Sequence, residues 1–172
     1  MKLQKSLDAF LFCCYAGMRY SDFTNLSKKN IVDINQETWL IYKSVKTGTE
    51  VRLPLYLLFA GKGIVILNKY RNNLENFFRL RDNSNINKDL IIIAKLAGLS
   101  KKISFHTARH TNATLLIYNG VNITTVQKLL GHKSVKTTPV YTNIMDMTIV
   151  HDLEKIKQAA LGIKKKTDNS FN

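Results

Sequence analysis

The stretch LLGHKSVKTTPVYTNI, Leu129 to Ile144, places a histidine, His132, and a tyrosine, Tyr141, on either side of a basic, threonine-rich loop. Thr138 and Pro139 form a strong helix-start pair, because a threonine hydroxyl caps the first amides and a proline at the first helical position lacks only an N–H that would be unpaired anyway. Tyr141 is therefore expected in the first turn of a helix, where the backbone amides and the helix dipole favour an anion. A tyrosine taken alone more often packs in a core, so the rest of the chain has to decide between packing and chemistry.

The composition points to a nucleic-acid partner. The chain has 172 residues, which fits one domain, and carries 26 basic against 12 acidic residues for a net charge of +14 and a pI near 9.9. Such an excess predicts a polyanionic partner, nucleic acid before membrane, although charge does not separate DNA from RNA. The sequence has neither an apolar run long enough to span a bilayer nor a secretory signal pattern, so a cytoplasmic location is expected.

The two cysteines, Cys13 and Cys14, are adjacent within an apolar helical run. A bridge between neighbours would be strained, so both are expected to pack as small buried side chains, as suits a reducing compartment.

The first third of the chain predicts two helices and a small sheet. Apolar residues at helical spacing indicate a helix from Leu3 to Met18 that closes near Gly17, and Ser21 is expected to start a short helix through Leu26, which leaves Arg19 at the corner between them. Residues 30–35, 38–46 and 50–55 are rich in β-formers and predict a three-stranded antiparallel sheet. Lys46 stands beside the second turn, where a solvated hairpin lysine is the ordinary alternative to a functional one.

The remainder predicts mostly helices, so the fold class is a mainly α-helical α+β domain. The expected helices are 61–71, 85–97, 105–118 capped by Ser104, 123–130 capped by Asn122 and closed by Gly131, and 147–161. Residues 81–85 are expected to form a loop, and residues 162–172 a polar tail. The last helix carries an apolar stripe at Ile149, Val150, Leu153 and Ile156.

The segment HTARH places His106, Arg109 and His110 on one face of a helix's first turns. A histidine pair four residues apart is also a zinc geometry, but Thr107 stands where zinc proteases carry their catalytic glutamate, and the sequence suggests no third ligand. A metal is therefore not expected, and His110 is interpreted as a structural hydrogen-bonding residue.

Five motifs in this order closely resemble the catalytic domain of tyrosine recombinases, the phage integrase family. They are AGMRYSD around Arg19, SVKTG around Lys46, HTARH, LLGHKS around His132 and KTTPVYTNI around Tyr141. The resemblance runs from about Leu3 to Lys157, and the HTARH form is similar to integrases of bacterial conjugative transposons and related mobile elements.

The resemblance implies site-specific recombination of DNA, by cleavage and rejoining through a covalent 3′-phosphotyrosyl intermediate, without metal or other cofactor. It implies Tyr141 as nucleophile, Lys46 as general acid and His106 as candidate base. Arg19, Arg109 and His132 would clamp the phosphate, which suits two guanidinium forks binding non-bridging oxygens.

Three residues depart from the family's usual pattern: Asp22 where glutamate is common, Asn112 where an apolar residue is usual, and Pro139 just before the tyrosine. None of them removes a catalytic group.

The resemblance also implies a domain organisation. Residues 1–172 would be the catalytic domain without the N-terminal core-binding domain, and residues 147–161 would be exchanged between subunits. The expected partners are double-stranded DNA attachment sites, with a homotetramer on DNA for the full-length protein and a monomer for the isolated domain. A non-catalytic DNA-binding module and a nicking-resealing enzyme similar to type IB topoisomerases stay open as alternatives.

Overall fold

The computed structural model describes residues 2–132, together with Leu153 and Lys157. The helices are α1 Lys2–Ala16, α2 Tyr20–Thr24, α3 Lys62–Lys69, α4 Leu74–Phe78, α5 Asn83–Leu96, α6 Phe105–Tyr118 and α7 Ile123–Leu130, and the strands are β1 Ile31–Ile34, β2 Glu37–Lys43 and β3 Glu50–Pro54. This mainly helical domain with one small sheet is the predicted fold class.

Helix α1 is the central element, since α3, α4, α5 and α6 all pack against it. Its residues Ala9, Phe12 and Cys13 are fully buried, and Cys14 is nearly so. Both cysteines are free thiols, as predicted, and burial raises the pKa of Cys14 to about 12. They therefore serve as packing residues at neutral pH.

A group of aromatic rings fills the space between α1, α2 and α4. Phe23 meets Phe77 and Phe78 edge to face, at centroid distances of 5.3 and 5.5 Å, and Tyr70 stacks on Phe77 at 4.1 Å. Perpendicular and offset pairs of this kind add stability beyond the area that they bury.

Helix α4 was not predicted, because five residues are too few to show a helical period. The Asn73 side chain caps it by accepting from the amide of Asn76. The expected loop 81–85 was also partly wrong. Asp82 accepts from the amide of Asn85 at 3.0 Å and starts α5 at Asn83, because the polar run 81–85 contains an N-cap carboxylate.

The sheet has the order β1-β2-β3 and is antiparallel throughout, as predicted. Leu40 lies opposite Leu53 and Tyr42 opposite Val51, and these four side chains form its buried face. Helix α7 packs against β3. Strand β2 ends at Lys43, so residues 44–48 form the turn that carries Lys46 away from the sheet.

The caps of α6 and α7 agree with the sequence. Ser104 and Thr107 form a reciprocal capping box, the Asn122 side chain accepts from the amide of Thr124, and Gly131 ends α7 with φ +64°. At α2 the N-cap is Arg19, two residues before the predicted Ser21.

The predicted helix start at Thr138-Pro139, Tyr141, most of the predicted helix 147–161 and the tail 162–172 lie outside the described residues. Within that part of the chain only Leu153 and Lys157 are described, and Leu153 is 60% exposed. Across the described residues, no helix has the length and apolar character needed to cross a membrane.

Candidate active site

Arg19 lies at the corner between α1 and α2 and faces the turn after β2. Its Nη1 donates to the Ser44 hydroxyl at 3.2 Å and lies 3.5 Å from Oδ2 of Asp22. Asp22 is 1% exposed and also accepts from the amide of Val45 at 2.8 Å. One buried carboxylate therefore fixes both the arginine and the base of the hairpin turn.

Arg109 is held by the ends of two other helices. Its side chain is buried, and it donates from Nη1 to the Gly17 carbonyl at 2.9 Å and from Nη2 to the Leu130 carbonyl at 2.6 Å. Helix carbonyls at a C-terminus carry partial negative charge, so they suit a guanidinium. The guanidinium is thus fixed where α1 and α7 end. Gly17, which accepts one of its hydrogen bonds, precedes Arg19 by two residues in the chain.

Asn112 explains why α1 ends at a fixed place. Its amide nitrogen donates to the carbonyls of Cys14 and Tyr15, at 2.9 and 3.0 Å, and the side chain is buried. Gly17, the residue after the end of α1, adopts φ +67° and packs directly against Asn112. The departure from an apolar residue at this position therefore has a structural role, as a cap for the helix that leads to Arg19.

The same three cations lower the pKa values of two histidines, His106 and His132. Burial lowers the pKa of His132 to about 4, with further lowering by Arg109, Arg19 and Lys46. The pKa of His106 is lowered first by burial, then by His110 and by the same three cations. Both rings are consequently neutral near pH 7, and the five groups Arg19, Lys46, His106, Arg109 and His132 occupy one electrostatic neighbourhood.

Lys46 is exposed on the hairpin turn. It shares the lining of an open pocket of about 330 Å³ with Arg19, Tyr20, Ser21, Asn83, Phe105 and His106. The neighbouring Thr47 donates its hydroxyl to the Gly131 carbonyl at 3.1 Å, which ties the turn to the residue before His132. The sequence indicated the lysine but not this tie.

His106 and His110 contact each other on the surface of α6. Their Nε2 atoms are 2.9 Å apart, and the two rings are perpendicular with centroids 4.5 Å apart. No group of three or more histidine, cysteine, aspartate or glutamate side chains that could hold a metal ion occurs among the described residues.

Arg19, Lys46 and His106 line one pocket, and Arg109 and His132 belong to the same electrostatic neighbourhood, which combines positive charge with neutral imidazoles. Such a set suits a phosphodiester, whose non-bridging oxygens gain negative charge during phosphoryl transfer. Tyr141 is the one predicted site residue outside the described part of the chain. Asp22, Ser44 and Thr47 support the site and lie within the motifs around Arg19 and Lys46, so their position beside those residues was the available signal.

Comparison with known proteins gives one family throughout. The profile of the phage integrase family matches residues 3–147. Tyrosine recombinase XerC from Rickettsia prowazekii is 30% identical over 159 residues, which cover 87% of this chain and 49% of the relative. The chain thus spans about half the length of the curated relatives that it matches first.

Solved structures share the fold at low identity. A lambda integrase dimer bound to a COC′ core site matches with a TM-score of 0.63 and 22% identity, over 80% of this chain and 52% of that one. A lambda integrase tetramer bound to a Holliday junction gives 0.61 and 23%, over 76% and 41%. The Tn1549 transposon integrase in complex with circular intermediate DNA gives 0.58 and 18%, over 80% and 53%.

Proposed function

The chain belongs to the phage integrase family, the tyrosine recombinases, and on that premise we propose that it is the catalytic domain of an enzyme that cuts and rejoins DNA at specific sites. The observation that carries the proposal is that Arg19, Lys46 and His106 line one pocket, while Arg109, Arg19 and Lys46 act electrostatically on both His106 and His132. The activity would move a mobile element into or out of a DNA molecule.

The two arginines would bind the scissile phosphate. Each guanidinium has five N–H donors, and in Arg109 two of them bind the Gly17 and Leu130 carbonyls, which fixes the orientation of its planar fork. Arg19 is held by the Asp22 carboxylate and the Ser44 hydroxyl. Because both forks are positioned before substrate arrives, little reorganisation is needed as charge develops on the phosphate.

Tyr141 would attack the phosphorus after losing its proton. An ordinary phenol has a pKa near 10, so a base or nearby cations must favour the phenolate. His106 is neutral at pH 7 and can accept the proton. The phosphorus–tyrosine bond forms as the bond to the 5′ oxygen breaks, which leaves a 3′-phosphotyrosyl link and a free 5′ hydroxyl.

Lys46 would donate a proton to the departing 5′ oxygen. The alkoxide is a poor leaving group unless an acid reaches it, and an exposed lysine on a hairpin turn has the reach for this role. His132, being neutral, would donate a hydrogen bond to a non-bridging phosphate oxygen. The ester energy is kept in the protein link, so rejoining needs no nucleotide, and the mechanism assigns no step to a metal ion.

The described tyrosines near the site are poor candidates for the nucleophile. Tyr20 lines the pocket, but its hydroxyl donates to the Arg81 carbonyl and burial raises its pKa. Tyr42 is 5% exposed, and burial raises its pKa strongly. Both considerations support Tyr141 for this role.

The proposal extends to partners and assembly. The net charge of +14 suits double-stranded DNA attachment sites. We propose a homotetramer on DNA for the full-length protein, a monomer for the isolated domain, and a cytoplasmic location. The stripe of the predicted helix 147–161 would dock on a neighbouring subunit, and a core-binding domain would grip the opposite face of the DNA.

A covalent trapping experiment tests the proposal. The protein is incubated with nicked suicide duplexes tiled across the DNA that flanks its coding sequence, with and without a chelator. A protein–DNA adduct should form in both conditions. Tyr141→Phe should abolish the adduct and keep DNA binding, whereas Tyr118→Phe, a half-exposed tyrosine at the end of α6, should react normally.

Three results would contradict it. An adduct that survives in Tyr141→Phe places the nucleophile elsewhere, and loss of the adduct with chelator requires a metal. DNA binding without any adduct in the unmodified protein indicates a non-catalytic module. Transfer of the bound strand to the 5′ hydroxyl of a second duplex distinguishes a recombinase from an enzyme that only nicks and reseals.

A further inference from the structure

His110 has a specific contact that the proposed mechanism does not use. Its Nε2 lies 2.9 Å from Nε2 of His106, one turn earlier on α6, and the rings are perpendicular. His106 is exposed and lines the pocket with Arg19 and Lys46, whereas His110 is half-buried. The half-buried His110 ring is therefore placed to restrict the orientation of the exposed His106 ring.

We propose that His110 is a positioning residue, which accepts a hydrogen bond from Nε2 of His106 and leaves Nδ1 of His106 as the nitrogen that takes the nucleophile's proton. This inference rests on the proposed function. It follows from the contact, because a bond between two Nε2 atoms requires one to carry the proton and the other to accept it.

The two possible arrangements have different consequences. If Nε2–H of His106 donates, its Nδ1 carries a lone pair and can act as a base. If Nε2–H of His110 donates instead, Nδ1 of His106 carries a hydrogen and cannot accept one. Only the first arrangement serves proton transfer, and protonation at Nδ1 strengthens it, because the donor then belongs to an imidazolium.

The charges around the pair favour an imidazole as the partner. Arg109 on the same helix, Arg19 at the corner and Lys46 on the hairpin all act on His106. A carboxylate in place of His110 would orient the ring equally well, but it would add negative charge to a pocket that must bind phosphate. An imidazole that accepts at Nε2 fixes the tautomer without adding negative charge. The reaction stays balanced, because the phenol O–H bond breaks, the Nδ1–H bond of His106 forms, and its Nε2–H bond is unchanged.

The helix start keeps the pair in register. The Ser104–Thr107 capping box fixes the first turn of α6, and positions four apart on a helix lie one above the other. The contact is thus set by the backbone as well as by the two side chains.

Single-turnover cleavage of a suicide duplex by the full-length protein tests the inference. His110→Phe keeps the ring but loses the acceptor, so the rate should fall about tenfold, a part of what a general base contributes. His110→Gln can accept from Nε2–H through its amide oxygen and should recover to within about threefold of wild type. His110→Ala replaces the Phe variant if that protein does not fold.

The decisive arm is the double variant. If His110 acts through His106, His110→Phe should cause no further loss in a His106→Ala background, and DNA affinity should be equal in all four proteins. Independent, multiplicative losses, or a wild-type rate in both His110→Phe and His110→Ala, would overturn the positioning role alone. A wild-type protein that forms no adduct would overturn the proposed function, and the inference with it.

Discussion

Gly17→Ala should strongly destabilise the corner on which the site is built. Gly17 ends α1 with φ +67°, and its carbonyl binds Arg109. A Cβ at this position would lie 2.6 Å from Oδ1 of Asn112 and 2.8 Å from Cδ2 of Leu130. The Asn112 amide cannot withdraw easily, because its nitrogen bonds two carbonyls of α1.

The expected magnitude has two parts. A left-handed conformation costs an alanine about 1–2 kcal/mol, and overpacking a filled site costs a further 1–3 kcal/mol or so. The free energy of unfolding should therefore fall by about 2–5 kcal/mol. For a domain of this size each kcal/mol lowers Tm by roughly 2–4 °C.

Gly98→Ala is the matched control. Gly98 has φ +68°, nearly the same as Gly17, but a Cβ there would meet nothing within 4 Å. It should carry only the conformational cost. Urea unfolding of both variants, followed by circular dichroism, should place Gly17→Ala below Gly98→Ala by about 1–3 kcal/mol, the packing part alone.

Equal losses in the two variants would refute the packing argument. The suicide-duplex assay adds a functional readout at a temperature where both proteins are folded. There Gly17→Ala should cleave more slowly, because the carbonyl that holds Arg109 has moved, and Gly98→Ala should cleave at the wild-type rate.

Three further outcomes are expected. Asp22→Ala should cost about 1–3 kcal/mol in urea unfolding and slow cleavage, because Arg19 and the Val45 amide lose their common acceptor. Thr47→Val should cost about 1 kcal/mol by the same measurement and slow cleavage in the suicide-duplex assay, since the hairpin loses its tie to the residue before His132. His132 has a folded pKa of about 4, below its unfolded value, so the unfolded chain binds the proton first as pH falls. Stability should decline from about pH 6.5 towards 4, and unfolding curves of His132→Asn should show a shallower decline.

Most of the fold could be predicted because its signals are local. The helix Phe105–Tyr118 and the helix Ile123–Leu130 have the predicted limits, since a side-chain cap and a closing glycine mark them in sequence. Helix α4 could not be found in this way. Its residues Phe77 and Phe78 are buried by rings from distant segments, and five residues carry no helical period.

In the site, too, local features could be predicted from the sequence and contacts between distant segments could not. The motifs predicted which residues would carry the chemistry, and the described ones lie in one electrostatic neighbourhood. The contacts that hold these residues in place could not be predicted from the sequence, because each one joins segments far apart in the chain. The Arg109 bonds to the Gly17 and Leu130 carbonyls, and the Asn112 cap on α1, depend on how three helices meet.

The burial of Arg109 also separates two effects of ionic strength. Dissolved ions screen exposed charges such as Lys46, but they screen a guanidinium that is 4% exposed and bonded to two carbonyls far less. Added salt should therefore weaken the attraction of DNA to the exposed charges more than it weakens the interaction of Arg109 with a bound phosphate. The affinity for DNA should therefore depend steeply on salt concentration, whereas the contact of Arg109 with a bound phosphate should depend on it only weakly.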